Sequence, residues 1–241
     1  MTAFAFEPPN RHLEDFDDLQ DYHFLLSMHC KDKDYVNHYA KRFDRSDTRR
    51  VILDNSYNEL MRADDCIELI SHMANVRADW VVVPDDPQWP TYKIADSFKE
   101  VCQFIEPHRT LTVINSLEMM NHLRHHGAPN FAISYHIRLP HYRRGGEPED
   151  LSWAKQCHFL GLCNIKEIKE LQPPSCDTSM PIKLGIMHEH LDEWIAGGCP
   201  HIHTKDILQS FFDKKMSTEQ IDLSRQNIIR LKELCNGTQQ T

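Results

Sequence analysis

The sequence predicts a compact (β/α)8 TIM barrel with helices at its C-terminal end. Short apolar runs recur along the chain, and segments with helical spacing of apolar residues lie between them. Most runs hold four or five apolar residues without alternation, which is typical of strands buried on both faces of a parallel sheet. A strand followed by a helix, repeated about every 25–30 residues, has the (β/α)8 barrel as its commonest closed form.

The predicted elements follow from these patterns. Strands are expected in YHFLLSMHC (22–30), RVILDNS (50–56), DWVVVPDD (79–86), TLTVINS (110–116), NFAISYHI (130–137) and CHFLGL (157–162), with a very short one at Ser175 and Cys176. Helices are expected over 58–75, 91–106 and 117–126, two more over 204–235, and one opened by Pro181 behind Thr178 or Ser179 as its cap. No linker is evident, so residues 1–241 are expected to form one domain with a barrel core over about 20–200.

Composition limits the classes of function. The 241 residues are 40% hydrophobic and 26% charged, which suits one large core. A net charge of −9 argues against affinity from general phosphate neutralisation, although it leaves room for a local basic face. Eight cysteines without a CxxC pair are expected to be reduced thiols in a cytoplasmic protein. No apolar run reaches the roughly 18 residues of a membrane span, and no signal-peptide pattern opens the chain.

Polar residues and a glycine stand where the predicted strands end, which is where barrels carry their active sites. They are Asp54-Asn55-Ser56, Asp85-Asp86, Asn115, Gly161-Leu162 and Asp177. Each group of carboxylates has a purely structural alternative, namely a helix cap at Asp54–Ser56, a turn at Asp85-Asp86-Pro87 and an N-cap at Asp177.

Their shared position at one end of the predicted barrel favours a site. Two carboxylates facing each other across a pocket suit a reaction at an anomeric carbon, where one attacks and the other moves protons. A third carboxylate accepts hydrogen bonds from a ring N–H and an exocyclic amine, the donor edge of a guanine-type base. Asn115 offers both a donor and an acceptor to the remaining edge.

Five stretches, VILDNSYNE, ADWVVVPDDP, TVINS, CHFLGLCNIKEI and SCDTSMPIKL, carry a resemblance to a known family across roughly residues 22–190. In this order they resemble the tRNA-guanine transglycosylase superfamily, and more closely its DpdA-like DNA-guanine transglycosylases. The resemblance implies that Asp54 is the general acid/base and that Asp177 is the nucleophile of a covalent glycosyl–enzyme intermediate. It places base recognition on Asp85 or Asp86, with Asp85 preferred, and on Asn115, where the family has a longer glutamine.

The rest of the substrate site also follows from the resemblance. The backbone of Gly161 and Leu162 would face the base, and Asn55 and Ser56 complete the set. The implied reaction exchanges guanine in DNA for a 7-deazaguanine base, such as 7-cyano-7-deazaguanine, and needs no cofactor. Exchange on tRNA is the alternative. The chain would act in the cytoplasm, that of the host if it is phage-encoded, without a membrane, alone or as a homodimer.

Two basic stretches, 41–50 and 136–146, are candidates for a local basic face, and solvated loops are their alternative. The expected phosphate contacts are Arg138, Arg143, Arg144 and Lys183. The zinc motif CxCxxC of the tRNA-acting members is absent from the sequence.

Cys199, His201 and His203 are candidate zinc ligands, completed by Cys235 or another ligand, and a loop with a buried cysteine and surface histidines is the alternative. Two other functional classes stay open. One is a non-catalytic barrel that binds nucleic acid or a partner, and the other is a metal-dependent hydrolase.

Overall fold

The computed structural model describes residues 1–143, 151–200 and 211–237. The strands are β1 (Ala3–Phe6), β2 (His23–Leu26), β3 (Val51–Asp54), β4 (Trp80–Val82), β5 (Thr110–Ile114), β6 (Phe131–Ser134), β7 (His158–Leu160) and β8 (Ser175–Thr178). The sheet order is β1-β8-β7-β6-β5-β4-β3-β2, and the recorded pairings are parallel. Eight parallel strands with helices between them confirm the predicted (β/α)8 barrel.

The α-helices within the described residues follow the same alternation. They are α1 (Leu13–Phe16), α2 (Lys33–Ala40), α3 (Tyr57–Leu60), α4 (Cys66–Val76), α5 (Thr91–Val101), α6 (Leu117–His125), α7 (Tyr135–Arg143), α8 (Ile165–Leu171), α9 (Met180–Ile186), α10 (Leu191–Ala196) and α11 (Thr218–Asn236). Across these described ranges, no helix combines the length and the apolar composition that crossing a membrane requires. All eight cysteines carry free thiols.

The chain divides into two compact units, and the first joins Met1–Asp21 to Tyr135–Thr241. It holds β1, β7 and β8, and β1 pairs with β8 over its whole length, with Ala5 opposite Asp177. Strand β1 lies before the barrel core predicted over about 20–200. The strands of the sheet therefore begin at Ala3. A segment predicted as strand or basic loop, 135–143, forms helix α7 with Pro140 inside it.

The C-terminal helices of this first unit pack closely. Helix α9 begins at Met180 behind Ser179 and carries Pro181 in its first turn, as predicted. Helix α11 starts with a capping box, in which Ser217 Oγ accepts from the backbone N–H of Gln220 and the Gln220 side chain bonds back to the N–H of Ser217. Residues 201–210, which the sequence assigned partly to another helix, lie outside the described residues.

The second unit, Tyr22–Ser134, holds β2 to β6 and the helices between them. Its core consists of fully buried aliphatic side chains such as Leu53, Leu69 and Val81. The helix predicted over 58–75 is broken, because Met61 adopts the left-handed conformation with φ 53°. Helix α4 then starts afresh behind Asp65, whose side chain accepts from the N–H groups of Ile67 and Glu68.

Candidate functional site

Asp54 is the last residue of β3, and its carboxylate is buried. Its Oδ2 accepts a hydrogen bond of 2.8 Å from the backbone N–H of Ser56. Ser56 occupies the N-cap position of α3 in the left-handed conformation, with φ 55°, and its side chain makes no capping bond. The Ser56 hydroxyl therefore does not cap α3, because it is used elsewhere.

The Ser56 hydroxyl belongs to a small polar cluster that the sequence did not reveal. Its Oγ lies 3.1 Å from Ser27 Oγ and accepts from the backbone N–H of Met28 at 3.2 Å. The Ser27 hydroxyl in turn donates to Asp64 Oδ2 at 2.5 Å. These bonds hold Ser56 in its unusual backbone conformation, which aims its N–H at Asp54.

Asn55 links the ends of β3 and β4. It is 1% exposed, and its Nδ2 donates to the carbonyl of Val83 at 2.9 Å and to Asp85 Oδ1 at 2.8 Å. Asn55 Oδ1 accepts from the backbone N–H of Tyr57 at 2.9 Å. Its amide is thus used for holding Asp85, so its contribution to a substrate site is indirect.

Asp85, the preferred base-recognition carboxylate, is buried and follows β4 after Val83 and Pro84. Burial raises the pKa of Asp85 to about 6, although the Asn55 hydrogen bond lowers it and nearby Asp86 raises it further. Within the described ranges Asp85 Oδ2 has no hydrogen-bond partner, so that oxygen is available to a ligand donor. Asp86 is half-buried and accepts from the Tyr57 hydroxyl at 3.2 Å and from the N–H of Gln88 at 2.8 Å. These two bonds fit the turn alternative for Asp86.

Asn115 follows β5 directly, and its side chain is exposed. The next residue, Ser116, caps α6 through a hydrogen bond from the backbone N–H of Met119. Asn115 and the cap residue Ser116 are the two residues between β5 and α6. Its amide therefore stands at the strand end where the sequence placed it.

Asp177 lies within β8 and is 5% exposed. Its Oδ1 is 3.0 Å from His158 Nε2, and its Oδ2 accepts from the backbone N–H of Gly161 at 3.2 Å. The N-cap alternative does not apply, because Thr178 Oγ1 accepts the N–H of Met180 instead. Both oxygens of this carboxylate thus have a nitrogen partner, one on His158 at the start of β7 and one on Gly161 just after its end.

His158 was not among the predicted site residues. Its run, CHFLGL, was read as an apolar strand, and a single histidine at the start of such a strand gives no signal of its own. The signal that was present is the alternation of the strand, which places His158 and Leu160 on one face and Phe159 on the other.

Gly161 has φ 71°, a conformation that favours glycine, and this turns its N–H toward Asp177. Its N–H therefore serves the carboxylate, whereas the resemblance assigned its backbone to the base. Leu162 beside it is buried.

Arg138 was expected to contact a phosphate, and that expectation is wrong. Its side chain is 0% exposed, and its Nε donates to Glu167 Oε2 at 2.9 Å. It also donates to the carbonyls of Leu160 and Gly161, and its guanidinium lies 4.2 Å from the ring centroid of Phe159. Burial lowers the pKa of Arg138, but Glu167 together with the nearby Cys163 and Cys176 raises it by more in total, so the pKa lies above its ordinary value.

This buried pair shapes the turn that carries Gly161. Glu167 Oε1 accepts from the backbone N–H of Cys163 at 2.5 Å, while Arg138 binds the carbonyl of Gly161. The pair thereby fixes both sides of the turn after β7. Arg138 is a structural residue of the site region, because it organises the backbone that presents an N–H to Asp177.

The remaining predicted contacts divide by position. Lys183 on α9 is half-buried with its Nζ 5.1 Å from the ring centroid of Phe211. The side chain of Arg143 and the whole of Arg144 lie outside the described residues, as do His201 and His203. Cys199 is buried. Among the described residues no group of three or more histidine, cysteine, aspartate or glutamate side chains is arranged to hold a metal ion.

Likeness to known proteins is found among solved structures. No family model matches the chain, and no curated protein matches it. Among solved structures, CdNal from Clostridium difficile in complex with mannosamine is similar, with a TM-score of 0.50, 9% identity, and coverage of 95% of this chain and 98% of that one. A 3-hexulose-6-phosphate synthase has a TM-score of 0.50 and 11% identity, covering 95% and 99%. At such low identity the likeness shows the barrel fold alone.

Proposed function

We propose that this chain is a DNA-guanine transglycosylase, an enzyme that exchanges guanine in DNA for a 7-deazaguanine base such as 7-cyano-7-deazaguanine. The observation that carries the proposal is the Asp177 carboxylate, buried in β8 and oriented at both oxygens by N–H donors. A carboxylate nucleophile needs a fixed direction of attack, and these donors restrict its rotation. The sequence resemblance to guanine transglycosylases supports the same role for Asp177.

The proposed first step breaks the bond between the sugar and guanine. After the guanine leaves the base stack, an Asp177 oxygen attacks C1′ of its sugar. The C1′–N9 bond breaks, its electron pair stays on guanine, and Asp54 supplies the proton that guanine needs to leave. The product of this step is an ester between Asp177 and C1′.

The second step reverses the first with another base. The 7-deazaguanine base loses its N9 proton to Asp54, and N9 attacks C1′ while the ester bond to Asp177 breaks. One glycosidic bond replaces another, so the exchange needs no external energy source.

Base recognition is assigned to Asp85. Its Oδ2 accepts from the N–H donors at the guanine edge while Asn55 holds Oδ1. A carboxylate with a pKa of about 6 is ionised at neutral pH and becomes protonated in mild acid, so recognition by Asp85 weakens below that pH. Exchange on tRNA uses the same chemistry, and no feature of the described residues separates the two polynucleotides.

The test is release of labelled guanine. The full chain is incubated with DNA or tRNA that carries labelled guanine, with and without 7-cyano-7-deazaguanine. We expect base-dependent release from DNA. Release from tRNA alone would contradict the DNA assignment, and release from neither would favour the non-catalytic barrel.

A further inference from the structure

His158 is 2% exposed, and both of its ring nitrogens are in hydrogen bonds. Its Nε2 lies 3.0 Å from Asp177 Oδ1, and its Nδ1 lies 2.8 Å from Ser175 Oγ. The three side chains form a line from a half-buried hydroxyl through a buried imidazole to the carboxylate. Both ring nitrogens of this buried side chain are thereby satisfied, and one of the two partners is the carboxylate assigned as the nucleophile.

The strand register explains how this line forms. Phe159 is the partner of Cys176 in the β7–β8 pairing, and both are fully buried on one face. His158, Ser175 and Asp177 therefore share the other face, since side chains alternate along a strand. On the neighbouring strand β1, Ala3 and Ala5 stand opposite Ser175 and Asp177.

The hydrogen-bond chemistry of the line assigns its protons. An ionised carboxylate only accepts, so the proton between His158 and Asp177 belongs on Nε2. In a neutral ring Nδ1 is then the acceptor, and the Ser175 hydroxyl can donate to it. Ser175 thus favours the tautomer in which Nε2–H faces Asp177, in the way that the outer partner of a histidine generally sets its tautomer.

We propose that His158, held by Ser175, is the positioning residue of Asp177 and that it supports the departure of the Asp177 carboxylate in the second step. This inference rests on the proposed transglycosylase function. In the ester intermediate Asp177 carries no charge, and the charge returns when the C1′–O bond breaks. The Nε2–H of His158 is placed to stabilise that returning charge, together with the N–H of Gly161.

A positioning role makes a different prediction from a purely structural one. A hydrogen bond to the ionised carboxylate makes it a better leaving group but a weaker nucleophile, so its loss affects the two steps unequally. Removal of the imidazole therefore slows breakdown of the ester more than its formation, and the covalent adduct accumulates. General loosening of the fold would instead lower DNA binding and both rates together.

The experiment measures both steps in single turnovers. Full-length protein and a guanine-containing DNA oligonucleotide are mixed, and the covalent adduct is counted on a denaturing gel. 7-Cyano-7-deazaguanine is then added, and the loss of adduct is timed. For His158→Leu we expect adduct loss to be slower by about 10- to 100-fold, the value of one charge-assisted hydrogen bond. His158→Gln, which retains an N–H donor, should stay within about threefold of the wild-type rate.

Ser175→Ala keeps the inference testable if the leucine substitution unfolds the chain. It removes only the hydroxyl at Nδ1 and should slow adduct loss by about two- to fivefold, without changing the unfolding midpoint by more than a small amount. Equal rates of adduct loss in wild type, His158→Leu and Ser175→Ala would overturn the positioning role and leave the proposed function intact. Absence of any adduct in the wild type, with no guanine release, would overturn both.

Discussion

Asn55 and Asp85 are thirty residues apart in the chain, and the Asn55 Nδ2 donates to Asp85 Oδ1 at 2.8 Å. This bond fixes the carboxylate after β4 to the end of β3. Burial raises the pKa of Asp85 by more than the Asn55 hydrogen bond lowers it. The pKa is therefore raised from 3.8 to about 6. The folded protein thus holds Asp85 at a position where its negative charge is unfavourable.

This charge makes stability depend on pH. Between the unfolded pKa of 3.8 and the folded pKa of about 6, the folded state binds more protons at Asp85 than the unfolded state. The contribution of Asp85 to stability is therefore complete below the lower value and is lost as the pH rises through 6. Asp85→Asn should be more stable than the wild type at pH 8 by about 2–3 kcal/mol and similar to it near pH 4.

Urea unfolding of both proteins from pH 4 to pH 8 measures this difference. Asp96→Asn changes one exposed carboxylate on α5 and serves as the control for a change of net charge. A constant difference between Asp85→Asn and wild type across this range would contradict the raised pKa.

Substitution of either partner of the Arg138–Glu167 pair should strongly destabilise the folded protein. Both side chains are 0% exposed, so Arg138→Met or Glu167→Gln leaves one charge buried without its partner. We expect either substitution to lower the free energy of unfolding by about 3–5 kcal/mol. The exposed pair of Arg230 and Asp192 is the matched control, and Arg230→Met should change stability by less than about 1 kcal/mol. Similar small losses at both sites would contradict the structural role of Arg138.

Helices α9 and α11 approach each other closely at Gly185. A Cβ there would lie 2.1 Å from Ser224 Oγ and 2.6 Å from the Ser224 backbone nitrogen, so the helices would have to move apart. Gly185→Ala should destabilise the protein by about 1–3 kcal/mol or more. Gly197→Ala is the control, because the nearest atoms to its Cβ lie 3.5 Å away, and thermal unfolding compares the two. Equal midpoints would show that the two helices are not in close contact.

Asp54 is expected to move protons in both steps of the exchange. Asp54→Asn keeps an acceptor for the Ser56 N–H but removes the basic oxygen, so guanine release should slow by about 10²- to 10⁴-fold. DNA binding, followed by fluorescence anisotropy, should stay unchanged. Asp65→Asn, at the exposed cap of α4, is the matched control and should exchange at the wild-type rate. Undiminished release by Asp54→Asn would assign proton transfer to another group.

The sequence predicted the barrel because its inner strands are short apolar runs separated by helical spacing. Strand β1 was not predicted, because its pairing partner β8 is distant in sequence. The helix break at Met61 was also not predicted, because no glycine or proline marks the left-handed residue there. Both features are set by tertiary packing, which local periodicity does not record.

The site was predictable to the extent that polar residues follow apolar strands. Asp54 ends β3, Asp177 lies within β8, and Asp85 follows β4 after two residues, with Asn55 as its partner. Arg138 was predicted to be solvent-exposed because it lies in a basic, histidine-rich stretch. In the structure it forms a buried ion pair with Glu167. His158 and Ser27 were missed because their roles depend on contacts between strands and loops that only the fold brings together.

In the proposed mechanism Asp177 forms a covalent bond to the sugar. The direct measurement is the amount of protein–DNA adduct that survives denaturation after mixing the full chain with a guanine-containing oligonucleotide. The wild type should form this adduct and Asp177→Asn, which preserves the shape of the side chain, should form none. An adduct of undiminished yield in Asp177→Asn would place the nucleophile elsewhere and contradict the proposed mechanism.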